Sequence, residues 1–477
     1  MPVATMRAGF LNRLRACVTQ TVTPSDEPRR RSRLTALGVL VLTACSPVTE
    51  APSRAAPLAQ TLPPMQMFTS GRVAPAARPN SQIAQDFLDL SFRMESGKQV
   101  QTLTRFETPI TVRVTGGASP AMLADLDRLL TRLRAEARID ISLTAAAEAN
   151  ITIETVPQRE LQRAVPRAAC FVVPRVTSWR DFLSQRFTST VDWTTLTVRD
   201  RAAIFIPADA APQEMRDCLH EELAQALGPL NDLYRLPDSV FNDDNIHAVL
   251  TGFDMLLLRA YYDDSLRSGL SRTEVAARLP AILARLNPRG EGRRVAADTD
   301  TSRDWIDAVE TALTGTGLPG TRRAAAQRAI ALGRAFGWTG PREGFAHYAY
   351  GRLQVGNDPQ AALAAFNHAE AVYRASPATQ IHAAHIAVQK CAFALSSGDA
   401  PAVIAMADAA MPVAAAHENA ALLATLMMMK AEALEMQGAT VPARQLRLDS
   451  LGWARYGFGS DANVQARLNE VAGLRPF

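Results

Sequence analysis

Residues 218–245, which read CLHEELAQALGPLNDLYRLPDSVFNDDN, combine carboxylates and amides at a spacing that could support chemistry. Glu221 and Gln225 are four residues apart, so both face the same side of a helix. Glu222 places a second carboxylate next to them. A carboxylate beside a bound cation can act as the general base that activates a water molecule. This stretch is therefore a candidate hydrolytic site, with Glu222 as the general base.

The pattern continues past the end of the helix. Gly228 allows the chain to turn back, and Asn231 follows three residues later. The series E-E-x-x-Q-x-x-G-x-x-N resembles the zinc motif of metzincin-like peptidases. The resemblance places Glu221, Gln225 and Asn231 at the three metal-ligand positions. It implies a zincin-like fold in which Glu222 occupies the position of the catalytic glutamate.

Two further features carry the same resemblance. The turn at 239–242 is similar to the turn below the metal in metzincins, with Phe241 where methionine is usual. The E-E-x-x-Q-x-L-G core and the preceding Cys218 resemble an uncharacterised bacterial family of zincin-like lipoprotein domains. The similarity extends over about 87–288 and implies a fold and a compartment, but no reaction.

The residue types at the ligand positions argue against an active zinc enzyme. Zinc prefers nitrogen and sulfur ligands, whereas one carboxylate and two amides suit a harder cation such as calcium or magnesium. His220 and His247 are the alternative ligands, although neither fits the motif register. We therefore expect a degenerate, non-catalytic site, with no cofactor or at most a divalent cation. The aspartates that follow are expected to build turns, with a cation site as the alternative; they are Asp232, Asp238, Asp243 and Asp244.

The N-terminal region has the features of an export signal. Four arginines between 29 and 33 precede a short apolar run at 34–44, and Cys45 follows directly. This arrangement resembles a bacterial lipobox, which implies cleavage before Cys45 and lipidation of its thiol; a plain secretory signal is the alternative. Ser46 favours the outer membrane, and the start of the chain is expected to be over-extended. Residues 46–80 are rich in proline and alanine, which predicts a flexible tether.

An envelope location would be oxidising, which bears on the cysteines. None of the five cysteines forms a C-x-x-C pair. Cys170 and Cys218 both lie in the first folded domain, so we predict a disulfide between them. Two buried free thiols are the alternative.

Hydrophobic periodicity divides the rest of the chain into two parts. Residues 81–290 alternate predicted strands with helices, which indicates an α+β domain with a mixed sheet and an active-site-type helix. Residues 300–477 lack strand signals and contain recurring turn glycines at a spacing typical of helix hairpins. The spacing predicts an all-α region similar to tetratricopeptide repeats, or else an ordinary helical bundle.

These observations lead to one function and two alternatives. We expect an envelope lipoprotein, anchored in a membrane on the periplasmic side, whose zincin-like domain serves in binding or scaffolding. The first alternative is a metal-dependent hydrolase of peptide or cell-wall substrates that uses Glu222. The second is a structural component that meets a protein partner through the helical domain. Net charge is only +4, and no basic stripe is interleaved with aromatic residues, so no nucleic-acid partner is expected.

Overall fold

The computed structural model of the protein describes residues 62–69, 74–292, 299–314 and 317–476. Within these ranges an α+β half is followed by a helical half, which confirms the expected order of the two regions. The signal-like sequence and Cys45 lie outside the described residues. Among the helices described, none has the length and hydropathy that a membrane-crossing segment requires.

A five-stranded sheet forms the centre of the first half. Its strands are β1 (Ile110–Thr115), β2 (Ile141–Leu143), β3 (Ile151–Val156), β4 (Phe171–Pro174) and β5 (Ala202–Pro207). The strand order is β2-β1-β3-β5-β4, and only β4 pairs with its neighbour in the antiparallel sense. β5 is buried along its whole length, as a continuous apolar run predicts. The sheet is therefore mixed, with an antiparallel strand at one edge.

Seven α-helices are described in this half of the chain. They are α1 (Asn80–Ser91), α2 (Pro120–Arg132), α3 (Gln158–Ala164), α4 (Trp179–Gln185), α5 (Pro212–Leu227), α6 (Gly252–Tyr261) and α7 (Arg272–Leu286). The candidate motif lies on α5, which begins with a proline at its first position and ends at Gly228. Leu219, Leu223 and Leu227 of α5 are fully buried in the same core as β5. The core therefore fixes α5 against the sheet.

The second half contains nine helices within the described ranges. They are α8 (Arg303–Leu313), α9 (Pro319–Ala335), α10 (Pro341–Gln354), α11 (Pro359–Arg374), α12 (Gln380–Ser396), α13 (Ala400–Ala416), α14 (Ala420–Met436), α15 (Thr440–Phe458) and α16 (Asp461–Ala472). Each helix packs against the next one in sequence. Gly398 and Gly438 occupy the turns with φ of 82° and 77°, a conformation that favours glycine. These two turn glycines thus separate successive helices that pack against each other.

Part of the expected tether contacts the helical half. Within the segment 62–69, the Gln66 amide donates to the Gly452 carbonyl at 3.0 Å. The Phe68 ring stacks on Trp453 with 4.5 Å between ring centroids. A Cβ atom at Gly452 would lie 2.8 Å from Gln66, so the close approach requires glycine there. In the structure this segment is therefore packed on α15.

Candidate functional site

The motif face of α5 is largely buried. Glu222 and Gln225 are each 4% exposed, and Glu221 is half-buried. A polar helix face that merely meets solvent would expose these side chains. The burial shows that the protein encloses this face.

The amides at the second and third ligand positions form hydrogen bonds with the protein itself. The Gln225 Nε2 atom donates to Asp232 Oδ2 at 3.5 Å. The Asn231 Nδ2 atom donates to the Asp89 carbonyl at 2.9 Å. Both residues are 4% exposed, so these bonds satisfy polar groups that have little access to water. The amides thus help to fold the loop after α5.

A cleft of about 750 Å³ opens beside Asn231. Asp232, Glu95 and Asp243 lie together there, with one carboxylate oxygen of each within 4.8 Å of the others. An all-oxygen set of this kind suits calcium or magnesium better than zinc. Glu95 was not predicted from the sequence, because it lies 137 residues before Asp232 and belongs to no motif. Arginines also line the cleft and offset part of its negative charge; they are Arg93, Arg167 and Arg303.

The aspartate-rich turn is built by side-chain to backbone hydrogen bonds. The Asp244 amide donates to Asn242 Oδ1 at 3.1 Å, and the Ile246 amide donates to Asp244 Oδ1 at the same distance. Asn242 Nδ2 donates to the Leu236 carbonyl at 2.8 Å. These are Asx-type turns, in which the side chain replaces a backbone partner. Asp244 therefore has a structural role within the turn.

The turn that resembles the metzincin turn is anchored in the core. Phe241 is fully buried. The Asp254 carboxylate accepts from the Ser239 hydroxyl at 2.5 Å, from the Val240 amide at 3.2 Å and from the Thr251 amide at 2.8 Å. Burial raises the pKa of Asp254 to about 6, although all three donors oppose the rise. Asp254 therefore holds the turn and caps α6.

The two alternative histidine ligands have other partners. His220 Nδ1 accepts from the Leu250 amide at 3.1 Å, and burial lowers the pKa of this imidazole well below its usual value. His247 Nε2 lies 2.8 Å from the Pro237 carbonyl, to which its N–H donates. Within the part of the chain that the structure describes, neither imidazole forms a hydrogen bond with a motif side chain. Both imidazoles thus bond to backbone groups of the loop that follows α5.

Cys170 and Cys218 form a disulfide that joins residues separated by 48 positions. Cys170 directly precedes β4, and Cys218 lies in the middle of α5. The bond therefore connects the motif helix to the edge of the sheet.

A residue missed by the motif analysis holds the end of α5. Arg199 is 3% exposed, and its Nη1 atom donates to the carbonyls of Gln225 at 2.6 Å and Ala226 at 2.7 Å. Its Nη2 atom donates to the Gly228 carbonyl. These carbonyls lie at the helix C-terminus, where the helix dipole favours a cation. A single arginine in a loop gives no sequence pattern, so no local signal pointed to it.

The loop between α5 and α6 is held by the helical half. We call residues 228–251 the motif loop. Its Tyr234 ring contacts the rings of Trp305 on α8 and Phe345 on α10, with centroid separations of 5.1 and 5.8 Å. Asp244 lies 2.8 Å from His382 Nε2 on α12. Alternate helices of the second half thus form one face against which the motif loop packs.

The beginning of α5 also contacts the helical half. Gln213 Nε2 donates to Asn419 Oδ1 at 3.2 Å, and Gln213 Oε1 accepts from the Ala421 amide at 3.0 Å. Arg216 forms an ion pair with Glu418 at 3.2 Å and is 2% exposed. Both ends of the motif are therefore fixed by the second half of the chain.

Residues 80–281 match the model of a family described as "Protein of unknown function (DUF2927)". The match begins with α1 and ends within α7, so it covers the sheet, the motif helix and the motif loop. It supports the resemblance of the α+β half to an uncharacterised family. No curated protein and no solved structure matches the chain.

Proposed function

We propose that this protein is a lipid-anchored envelope protein whose α+β half is a zincin-like domain that acts in binding or scaffolding without catalysis. One observation carries the proposal. The amides at two of the three ligand positions, Gln225 and Asn231, donate hydrogen bonds to Asp232 and Asp89 and are buried. The N–H groups of both amides thus stabilise the fold, which supports a structural role for these side chains.

The shape of the motif region supports the zincin-like assignment. The helix that carries the two glutamates packs on a mixed sheet and ends at Gly228. The turn that contains Phe241 is buried in the same core as α5. These features agree with the spacing of the sequence motif, which supports the proposal of a peptidase-like scaffold whose ligand types have changed.

The position of Glu222 supports the absence of catalysis. A general base must lie within hydrogen-bond distance of a water molecule that also contacts the substrate. Glu222 is 4% exposed, and both histidines near the motif bond to backbone groups of the motif loop. Enclosure of this carboxylate favours a structural role over repeated exchange of water and substrate.

The helical half supports scaffolding. Alternate helices contact each other in the pairs α8 with α10, α12 with α14, and α14 with α16. Stacked hairpins of the tetratricopeptide type have this arrangement and present an extended face for protein ligands. One such face already holds the motif loop. We therefore propose that the external protein partner binds the helical half, which also holds the motif loop of the α+β half in place.

A peptidase assay with the full chain tests the lack of catalysis. We expect no cleavage of a fluorogenic peptide library or of cell-wall peptides with added Zn²⁺, Ca²⁺ or Mg²⁺, and no difference between the unmodified chain and Glu222→Gln. Glu160→Gln, which alters an exposed carboxylate on α3, is the matched control. Metal-dependent cleavage that is lost in Glu222→Gln and kept in Glu160→Gln would overturn the proposal.

The lipid anchor is tested separately at Cys45. We expect metabolic labelling with an alkyne fatty acid to mark the unmodified chain and to spare Cys45→Ser. The same substitution should move the protein from the membrane fraction to the soluble fraction. Labelling that persists in Cys45→Ser contradicts lipidation at this residue.

A hydrolase is the second candidate function, and the cleft beside the motif favours it. Glu95, Asp232 and Asp243 place three carboxylate oxygens within 4.8 Å, a set that suits calcium or magnesium. If Glu222 acts as a base there, activity should require one of these cations and should disappear in both Asp232→Asn and Glu222→Gln. Activity that survives Asp232→Asn would exclude this site as its cause.

A further inference from the structure

A second group of metal-ligating side chains lies in the helical half, far along the chain from the motif. Glu343 and His347 are four residues apart on α10, and His368 lies on the neighbouring helix α11. One ligand atom of each residue lies within 4.8 Å of the other two. The His368 Nε2 atom is 2.8 Å from Glu343 Oε1, and the two imidazole rings are 4.0 Å apart. Two imidazoles and a carboxylate thus converge on one point between two helices.

We propose that Glu343, His347 and His368 form a binding site for a divalent transition-metal ion, with zinc as its natural occupant. Two nitrogens and one carboxylate oxygen are a ligand set that zinc prefers, in contrast to the all-oxygen group beside the motif. Three protein ligands leave one position for water. The proposed metal site is independent of the function proposed for the α+β half.

The two helices hold the ligand set in place. A Cβ atom at Gly344 would lie 2.6 Å from the Tyr373 ring, and one at Gly351 would lie 2.7 Å from Phe366. These glycines allow α10 and α11 to approach closely on both sides of His347. Ligands around a tetrahedral zinc ion are about 3.4 Å apart, given bond lengths of about 2.1 Å. The ligand atoms lie within 4.8 Å of one another, so binding of an ion requires the side chains to rotate until they reach this spacing.

Local charge and access to solvent also bear on binding of a metal ion at this cluster. The positive charge of Arg334 near His347 opposes binding of a metal ion, whereas the negative charge of Glu343 favours it. The side chains of Glu343 and His368 are 28% and 44% exposed, which leaves a path for the ion from solvent.

Titration of the full chain with Zn²⁺ tests the proposal. After treatment with a chelator and removal of the chelator, we expect calorimetry to show a site with one ion per chain. We expect His347→Ala and His368→Ala each to weaken binding by at least about tenfold, since even indirect partners of metal ligands contribute that much. Glu343→Gln keeps an oxygen that can accept from His368 and loses the charge, so it should weaken binding less than the histidine variants.

Two controls make the result decisive. His417→Gln alters a histidine outside the cluster and should leave the affinity unchanged. Circular dichroism of each variant in chelator should match that of the unmodified chain, which separates lost ligation from lost folding. Co²⁺ in place of Zn²⁺ should give the strong visible absorption of a tetrahedral site, and His368→Ala should abolish it. The proposal is overturned if Zn²⁺ does not bind, or if it binds equally to His347→Ala and His368→Ala.

Discussion

Arg199 is the residue whose replacement tests the account of the motif helix most directly. It is buried and donates to three carbonyls at the C-terminus of α5, those of Gln225, Ala226 and Gly228. Within the described residues no carboxylate forms an ion pair with Arg199. Its charge is therefore balanced by backbone dipoles, and burial lowers the pKa of the guanidinium from its usual value. Arg199→Met removes the donors and keeps much of the apolar stem.

The cost of this substitution follows from the groups it leaves behind. Each buried carbonyl that loses its donor costs about 1–3 kcal/mol. The lower end applies if water enters, which gives about 3 kcal/mol for three carbonyls. The substitution also removes a buried cation, whose desolvation is itself costly. This gain offsets part of any loss of stability above about 3 kcal/mol. We therefore expect a loss of about 3 kcal/mol in the free energy of unfolding, on the order of 100-fold in the equilibrium constant.

Urea titrations followed by circular dichroism measure this loss. Arg201→Met is the matched control, because Arg201 is an exposed arginine only two residues away. We expect the control to change the free energy of unfolding by no more than about 0.5 kcal/mol. Arg199→Lys should restore part of the stability, since one ammonium group can satisfy some of the carbonyls. Equal stabilities of Arg199→Met and Arg201→Met would refute the reasoning.

Two further predictions concern the disulfide and a buried histidine. The disulfide closes a loop of 48 residues, so Cys170→Ser should lower the free energy of unfolding by about 4 kcal/mol in urea titrations without reductant; equal stabilities would contradict this. Burial is the main cause that lowers the pKa of His385 from 6.5 to about 3. The charge of His382 adds to this effect, and the charge of Asp244 opposes it. Between these pH values the unfolded chain binds more protons at His385, so stability falls as pH falls, by about 1.4 kcal/mol per unit. The difference in unfolding free energy between pH 7 and pH 5 should therefore shrink by about 2 kcal/mol in His385→Gln, and an unchanged difference would contradict the assignment.

The layout of the α+β half was predictable because its signals are local. Alternating apolar residues predict a strand at 151–156, and β3 has these bounds. Leucines at helical spacing predict a helix after Ser119, whose hydroxyl accepts from the Met122 amide at the start of α2. The short helix α4 was missed, since seven residues span too few turns for a periodic pattern.

The environment of the candidate site was less predictable, because it depends on residues far apart in the chain. The motif predicted which side chains lie together on α5. It did not predict that Asn231 would bond to the backbone of Asp89, or that Tyr234 would pack on Trp305. These contacts form only after the second half folds against the first, and no spacing within 218–245 encodes them. The ligand group with Glu343 was missed for the same reason, since its third member, His368, lies on another helix.

The packing of residues 62–69 on α15 has a consequence for the geometry of the proposed anchor. If Cys45 carries the lipids, the span from the bilayer to the first docked residue, Leu62, contains 17 peptide units. A fully extended chain of that length measures at most about 60 Å, compared with about 120 Å for the 35 units up to Asn80. The docked segment would then hold the membrane within about 60 Å of Leu62, about half the distance that the sequence alone would allow.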